Sequence, residues 1–238
     1  GPNGAGKSSL ISVLAGQLAP TCGEVSLDGQ MLSAFDAHDL AVVRAVMAQQ
    51  VPSDFHLTVE QVIDLGLYAF PELTTQERED LRFRAAEIAG VSAWLSHSMT
   101  RHSMGQQQRV HFARALVQLL GAQRRNAGWL LLDEPTASQD PLHQQRLLAS
   151  CHDLTASQKV GVVVALHDLT LAAQWCDRLV VMCEGLLIAQ GSTQEVLTEA
   201  TIQRAFGDEL HALVIKKPAA GVVISRKMND NGSHSGRA

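Results

Sequence analysis

The first eight residues, GPNGAGKS, put Gly1, Gly6, Lys7 and Ser8 at the fixed positions of the pattern G-x-x-x-x-G-K-[ST], with Pro2, Asn3, Gly4 and Ala5 between them. Glycines in such a turn let successive backbone N–H groups converge on phosphate oxygens, and a helix opening at Ser8 adds its positive end. In this pattern Lys7 neutralises the β- and γ-phosphates of a nucleoside triphosphate, Ser8 offers its hydroxyl to Mg2+, and Ser9 stands ready for a further phosphate contact. A Gly-rich turn before a helix is also an ordinary tight turn. The weight therefore comes from a second segment, WLLLDEPTASQD over residues 129–140. An apolar strand ending in Asp133 and Glu134 places one carboxylate to hold the metal's water and the next to orient an attacking water. Phosphoryl transfer asks mainly for positioning and charge neutralisation. Lys7, Ser8, Mg2+, Asp133 and Glu134 meet that need in outline, and the reaction class is ATP or GTP hydrolysis.

The elements that must carry these residues follow from the hydrophobic pattern. Strand-like runs at Val43–Ala48, Trp129–Leu132, Val160–Leu166 and Arg178–Met182 alternate with helical stretches. That alternation predicts an α/β domain with a largely parallel sheet. Three of the four runs are nearly continuous apolar sequences, as in strands covered on both faces. Glu184-Gly185 reads as a turn into Leu186–Gln190, giving a hairpin at the sheet edge. Between about Thr58 and Gly121 the strand runs disappear. Thr58-x-x-Gln61 and Thr74-x-x-Glu77 have capping-box spacing, which predicts a helical insert over about 55–121. Residues 226–238, rich in Asn, Gly, Ser and charge, read as a disordered tail.

Composition narrows the classes. The 238 residues are 46% hydrophobic and 18% charged, the profile of a globular domain able to bury a core. No apolar run approaches the roughly 18–20 residues of a membrane-spanning helix, so any membrane role must work through a partner. Nineteen basic against twenty-four acidic side chains, a net charge of −5, argue against nucleic acid as a partner. Cys22, Cys151, Cys176 and Cys183 show no C-x-x-C spacing and read as buried thiols in a reducing compartment. The ten histidines show no clustered ligand spacing.

Taken in order, GPNGAGKSS, Gln49, HSMGQQQRV, LLLDEPTASQD and ALHD resemble the ATP-binding cassette family of transport ATPases, over Gly1 to about Val214. The resemblance implies a P-loop NTPase (RecA-like) core with a mostly parallel sheet plus a helical subdomain, the ABC ATPase fold. One nucleotide-binding domain would span residues 1–225. It implies ATP and Mg2+ as cofactors, and a homodimer that sandwiches two ATP molecules head to tail. By position, Gln49 matches the glutamine that contacts Mg2+ and couples to the membrane partner, with Gln50 the near alternative. His167 matches the histidine that touches the γ-phosphate, and Asp140 the loop aspartate that organises the opposed subunit. Ser103 and Gly105 match the signature residues that reach the other subunit's ATP. His102 and Met104 depart from that signature, at positions usually Leu and Gly. A side chain at Met104 is expected to crowd the close approach glycine permits, with strain if the position needs φ > 0.

Within the family, RAVMAQ, the residues before WLLLDEPTASQD and ALHDLTLAAQWCDRLVVMCEGLLIAQGSTQEVLT resemble the ATPase subunits of haemin importers, and vitamin B12 and iron-siderophore importers share much of this. The resemblance implies a peripheral ATPase at the cytoplasmic face of the inner membrane. It would drive transmembrane permease subunits and, through them, work with a periplasmic substrate-binding protein. A degenerate nucleotide-binding module without turnover is the rival that Met104 suggests, and Glu134 and His167 argue against it. No charged-then-apolar leader opens the chain, so export is not expected. Because the chain opens inside the phosphate motif, upstream sequence with the adenine-stacking aromatic residue is expected, and a chain beginning at Gly1 is expected to be unstable or inactive.

Overall fold

A computed structural model describes residues 1–48, 57–124, 128–157, 160–207, 210–215 and 221–226. The chain divides into two compact units, residues 7–166 and residues 1–6 with 167–238. Each is described by itself.

In the first unit, α1 (Lys7–Leu14) is followed by a short antiparallel pair, β1 (Ser26–Leu27) and β2 (Gln30–Met31), turned by Asp28-Gly29 with φ 49° and 84°. Both turn residues sit in the left-handed region that a two-residue hairpin requires. Next come α2 (Ala37–Val43), capped by Asp36, whose carboxylate accepts from the Asp39 N–H at 2.7 Å, and β3 (Arg44–Met47). Three further helices are α3 (Val59–Asp64), α4 (Thr75–Ala89) and α5 (Met104–Gln123). Both predicted capping boxes form: Thr58 with Gln61 opens α3 and Thr74 with Glu77 opens α4. Each satisfies two backbone donors that a helix start otherwise leaves open. Gly90, at φ 67°, stops α4 in the conformation glycine adopts without penalty. The isolated bridge Thr58–Ser98 is the one β pairing among the described residues from 57 to 121.

After α5 come β4 (Trp129–Asp133), α6 (Pro141–Ser157) and β5 (Gly161–Ala165). Strand order is β3-β4-β5, all parallel, with Met47 opposite Leu132 and Asp133 opposite Ala165. Leu130 and Leu132 are fully buried in the central strand, so β4 is pinned by apolar packing, each side chain contributing about 1.5–3 kcal/mol. Ile11 of α1 and Ala15, just past its end, join Leu131 and Ala165 in one cluster. That packing fixes where α1 begins relative to the end of β4. Helix α5 is buried on most of its circumference, with Phe112, Leu116 and Leu119 among the largest enclosed side chains.

The second unit contains α7 (Leu169–Trp175), the hairpin β6 (Arg178–Cys183) and β7 (Leu186–Ser192), the short helices α8 (Thr193–Val196) and α9 (Glu199–Phe206), and the antiparallel pair β8 (Leu210–Ile215) and β9 (Gly221–Arg226). The Glu184-Gly185 turn is as expected, with φ 50° and 77°. Four expectations change. Among the described residues the hairpin is a two-stranded sheet of its own and not the edge of the parallel sheet. Strand β6 is not covered on both faces: Val180 is 54% exposed, because an antiparallel hairpin can turn one face outward. Cys22 is exposed rather than buried, while Cys151 is buried; all four cysteines are free thiols. Of residues 226–238, read as a disordered tail, Arg226 instead ends β9, and 227–238 lie outside the described residues.

Candidate functional site

In the unit of residues 7–166, α1 starts at Lys7 and β4 ends at Asp133, and their packing brings the two predicted segments together. The Ser8 hydroxyl donates to Asp133 Oδ1 at 3.0 Å. Lys7 Nζ lies 3.5 Å from Glu134 Oε1, with both side chains nearly enclosed at 10% and 13% exposure. Burial raises the Asp133 carboxyl above its usual range and the neighbouring Glu134 charge adds to this; the Ser8 hydrogen bond and Lys7 pull the other way. Two carboxylates thus stand side by side at the end of a buried strand, one facing an ammonium and the other accepting from a hydroxyl.

Glu134 sits at φ 47°, in the left-handed region, which costs a non-glycine residue about 1 kcal/mol. Its N–H donates to the Ala165 carbonyl at 3.1 Å and its own carbonyl accepts from Ala137 N–H at 3.1 Å. The strand register of β4 and β5 and the turn that follows thus hold Glu134 in a conformation its side chain alone would not select. Such backbone strain clusters where geometry serves chemistry.

The turn over 134–140 is tied further by glutamines. Gln139 Nε2 donates to the Pro135 carbonyl at 2.8 Å, and Gln144 Nε2 to the Thr136 and Gln139 carbonyls at 3.1 and 3.2 Å. Asp140 caps α6, accepting from His143 N–H at 3.1 Å, with the His143 ring at 2.6 Å; these bonds hold its carboxyl below the usual range. Pro141 occupies the first helical position, where its missing N–H costs nothing.

Ser103 is the N-cap of α5: it accepts from Gln106 N–H at 3.4 Å, and its own N–H donates to Gln106 Oε1 at 2.9 Å. A Cβ at Gly105 would lie 2.4 Å from the Ser138 carbonyl oxygen. Gly105 is therefore what lets α5 approach the 134–140 turn. Met104 begins α5, is not among the residues with positive φ, and is 69% exposed. The strain expected if this position needed φ > 0 does not arise, because Met104 takes helical backbone angles at the first position of α5. Ser138, at φ 58°, is the feature that spacing did not reveal; nothing in a serine's identity announces a left-handed backbone.

In the other unit, Ala5 N–H donates to the Pro2 carbonyl at 3.3 Å and Gly185 N–H to the Ala5 carbonyl at 3.2 Å. A Cβ at Gly1 would meet Met182 O at 1.9 Å, so only glycine fits there; Gly4 and Gly6 turn at φ 77° and 94°. His167 belongs to this unit, one residue before Asp168, whose carboxylate caps α7 by accepting from Thr170 and Leu171 N–H at 2.7 and 3.1 Å. Gln49 and Gln50 lie outside the described residues. Among the described residues no group of three or more His, Cys, Asp or Glu side chains forms a metal site. Mg2+ takes one or two protein oxygens and completes its shell with water and substrate phosphates. Ser8 and Asp133 supply such hard oxygens. No helix among the described residues is long and apolar enough to cross a membrane.

A parallel sheet with a glycine-rich turn and a strand-terminal Asp-Glu pair is the core of a phosphate-loop ATPase, and the family model for ABC transporters matches residues 1–137. The chain belongs to the ABC transporter family, as one of its ATP-hydrolysing ATP-binding subunits. It is 38% identical to the hemin import ATP-binding protein HmuV of Bordetella avium over 224 residues, 94% of this chain and 86% of that one. It is 41% identical to HmuV of Bordetella bronchiseptica over 90% of this chain and 82% of that one, and 40% identical to HmuV of Rhodopseudomonas palustris over 93% and 80%. Among solved structures, an ABC transporter described as of metal-chelate type, in an inward-facing conformation, superposes with a TM-score of 0.77 at 20% identity, covering 96% of this chain and 85% of that chain. CbiO1 of Clostridium perfringens, part of the transporter complex cbiONQ, gives 0.68 at 27% identity, covering 86% and 79%.

Proposed function

We propose that this chain is the ATPase subunit of an importer of haemin, hydrolysing ATP at a site built on Lys7, Ser8, Asp133 and Glu134. The observation that carries the chemistry is the convergence of Lys7 on Glu134 and of Ser8 on Asp133. The cargo rests on the name and similarity of the HmuV relatives.

The Lys7 ammonium faces Glu134 at 3.5 Å. An incoming triphosphate offers Lys7 a denser anion. Lys7 turns to the β- and γ-phosphates, the N–H groups of residues 1–6 and Ser9 take further phosphate oxygens, and Glu134 is released to accept a hydrogen bond from water. That water attacks the γ-phosphorus, the bond to the bridging oxygen breaks, and His167 stabilises the transferring group. Ser8, Asp133 through water and Gln49 would hold Mg2+, which when bound neutralises phosphate charge. Ser103 and Gly105 would reach the ATP of a second copy of the chain, so that closure of a homodimer completes each site. We assign residues 1–225 to one nucleotide-binding domain with a helical subdomain over about 55–121. The dimer would sit as a peripheral assembly on the cytoplasmic face of the inner membrane, coupled to permease subunits and through them to a periplasmic binding protein.

The test is reconstitution of the full-length subunit with its permease and binding protein in proteoliposomes. Haemin-stimulated ATP hydrolysis with haemin accumulation is expected. Stimulation by vitamin B12 or a ferric siderophore, with haemin silent, would reassign the cargo and keep the motor.

A further inference from the structure

The first turn of α5 and the turn carrying Glu134 touch at one place. Gly105 lets the Ser138 carbonyl approach so closely that a Cβ would stand 2.4 Å from it, and on the adjacent residue the Ser138 hydroxyl donates to the Met104 sulfur at 3.6 Å. Ser138 holds φ 58°, a conformation that costs a serine about 1 kcal/mol and persists only when its surroundings impose it. Four residues earlier, Glu134 holds φ 47° in the same turn. Two turn bonds, Ala137 N–H to the Glu134 carbonyl at 3.1 Å and Gln139 N–H to the Thr136 carbonyl at 3.4 Å, span the stretch between the two strained residues. A thioether is a weak acceptor, but a helix-initial methionine carries it on a rigid element.

We propose that Met104 is a positioning residue for hydrolysis: its sulfur takes the Ser138 hydroxyl and thereby fixes the turn that presents Glu134. The side chain that departs from the usual glycine thus has work of its own within one subunit. It ties the position of α5 to the orientation of the water-binding carboxylate. This inference rests on the reading of Glu134 given above.

Steady-state ATP hydrolysis by the full-length subunit tests it with Met104→Leu, Ser138→Ala and the double variant, alongside Glu134→Gln. Leucine keeps the apolar volume and removes the acceptor. Both residues are exposed, so folding is not at stake, and thermal unfolding verifies that. Each single change is expected to lower kcat about 2- to 5-fold, the worth of one weak hydrogen bond, with KM for ATP unchanged. The double variant should be no slower than the singles, since the contact is lost only once. Unchanged kcat in both singles, losses that multiply in the double, or losses that appear in KM overturn the proposal. A silent Glu134→Gln overturns the reading of Glu134 and the proposal with it. A dead Glu134→Gln beside silent Met104→Leu and Ser138→Ala removes the Met104 contact alone.

Discussion

His111 lies in the middle of α5, the helix whose first turn carries Ser103 and Gly105, and it is only 8% exposed with no partner for Nδ1. Burial, with Arg114 nearby, lowers its pKa from 6.5 to about 4. A histidine that is neutral when folded must gain a proton to unfold in acid. Between those two values the unfolded chain therefore binds more protons, and stability falls as pH falls. Above pH 6.5 both states are neutral and His111 contributes no slope. At about 1.36 kcal/mol per unit, the loss reaches about 2 kcal/mol at pH 5 and about 3 kcal/mol at pH 4. Urea unfolding of the wild type and of His111→Leu, from pH 7.5 to 4.5, measures it. Every other titrating group is common to both proteins, so the difference between the curves isolates His111. Leucine also removes an orphaned buried nitrogen, so the variant should match or exceed the wild type at pH 7.5. Parallel curves down to pH 4.5 would refute the reasoning.

Ser8→Ala strips Asp133, 6% exposed, of a hydroxyl donor at 3.0 Å and should cost about 1.5–3 kcal/mol of stability in the absence of nucleotide and Mg2+; chemical unfolding within about 0.5 kcal/mol of wild type would count against the contact. Gly105→Ala must move either the start of α5 or the Ser138 carbonyl, so a loss of about 1–3 kcal/mol is expected together with slower hydrolysis. An alanine variant that melts and turns over like wild type would show that the close approach does not matter.

What could be read without coordinates follows from which signals are local. The strand around Trp129–Asp133 was visible because three leucines in a row end in two acids, and the hairpin after Cys183 because Gly185, suited to positive φ, stands in a Glu-Gly pair between two apolar runs. The boxes at Thr58 and Thr74 are set by residues three apart. The pairs β1–β2 and β8–β9 escaped: the first has two-residue strands, too short for any period, and the second consists of apolar runs whose period does not separate strand from helix. At the site, Lys7, Ser8, Asp133 and Glu134 announced themselves by type and spacing. The contact of Ser138 with Met104 and Gly105 did not, because it depends on a left-handed serine and on a close approach between segments more than thirty residues apart. That Met104 needs no positive φ was hidden for the same reason, since it turns on backbone angles rather than on residue type.

The central claim is that Glu134 prepares the water that cleaves ATP gripped by Lys7 and Ser8. Single-turnover hydrolysis by the full-length subunit, with ATP binding measured on the same samples, compares wild type with Glu134→Gln. Binding that persists with Mg2+ while cleavage slows by about 100-fold or more is the predicted result. Cleavage at the wild-type rate in Glu134→Gln would contradict it.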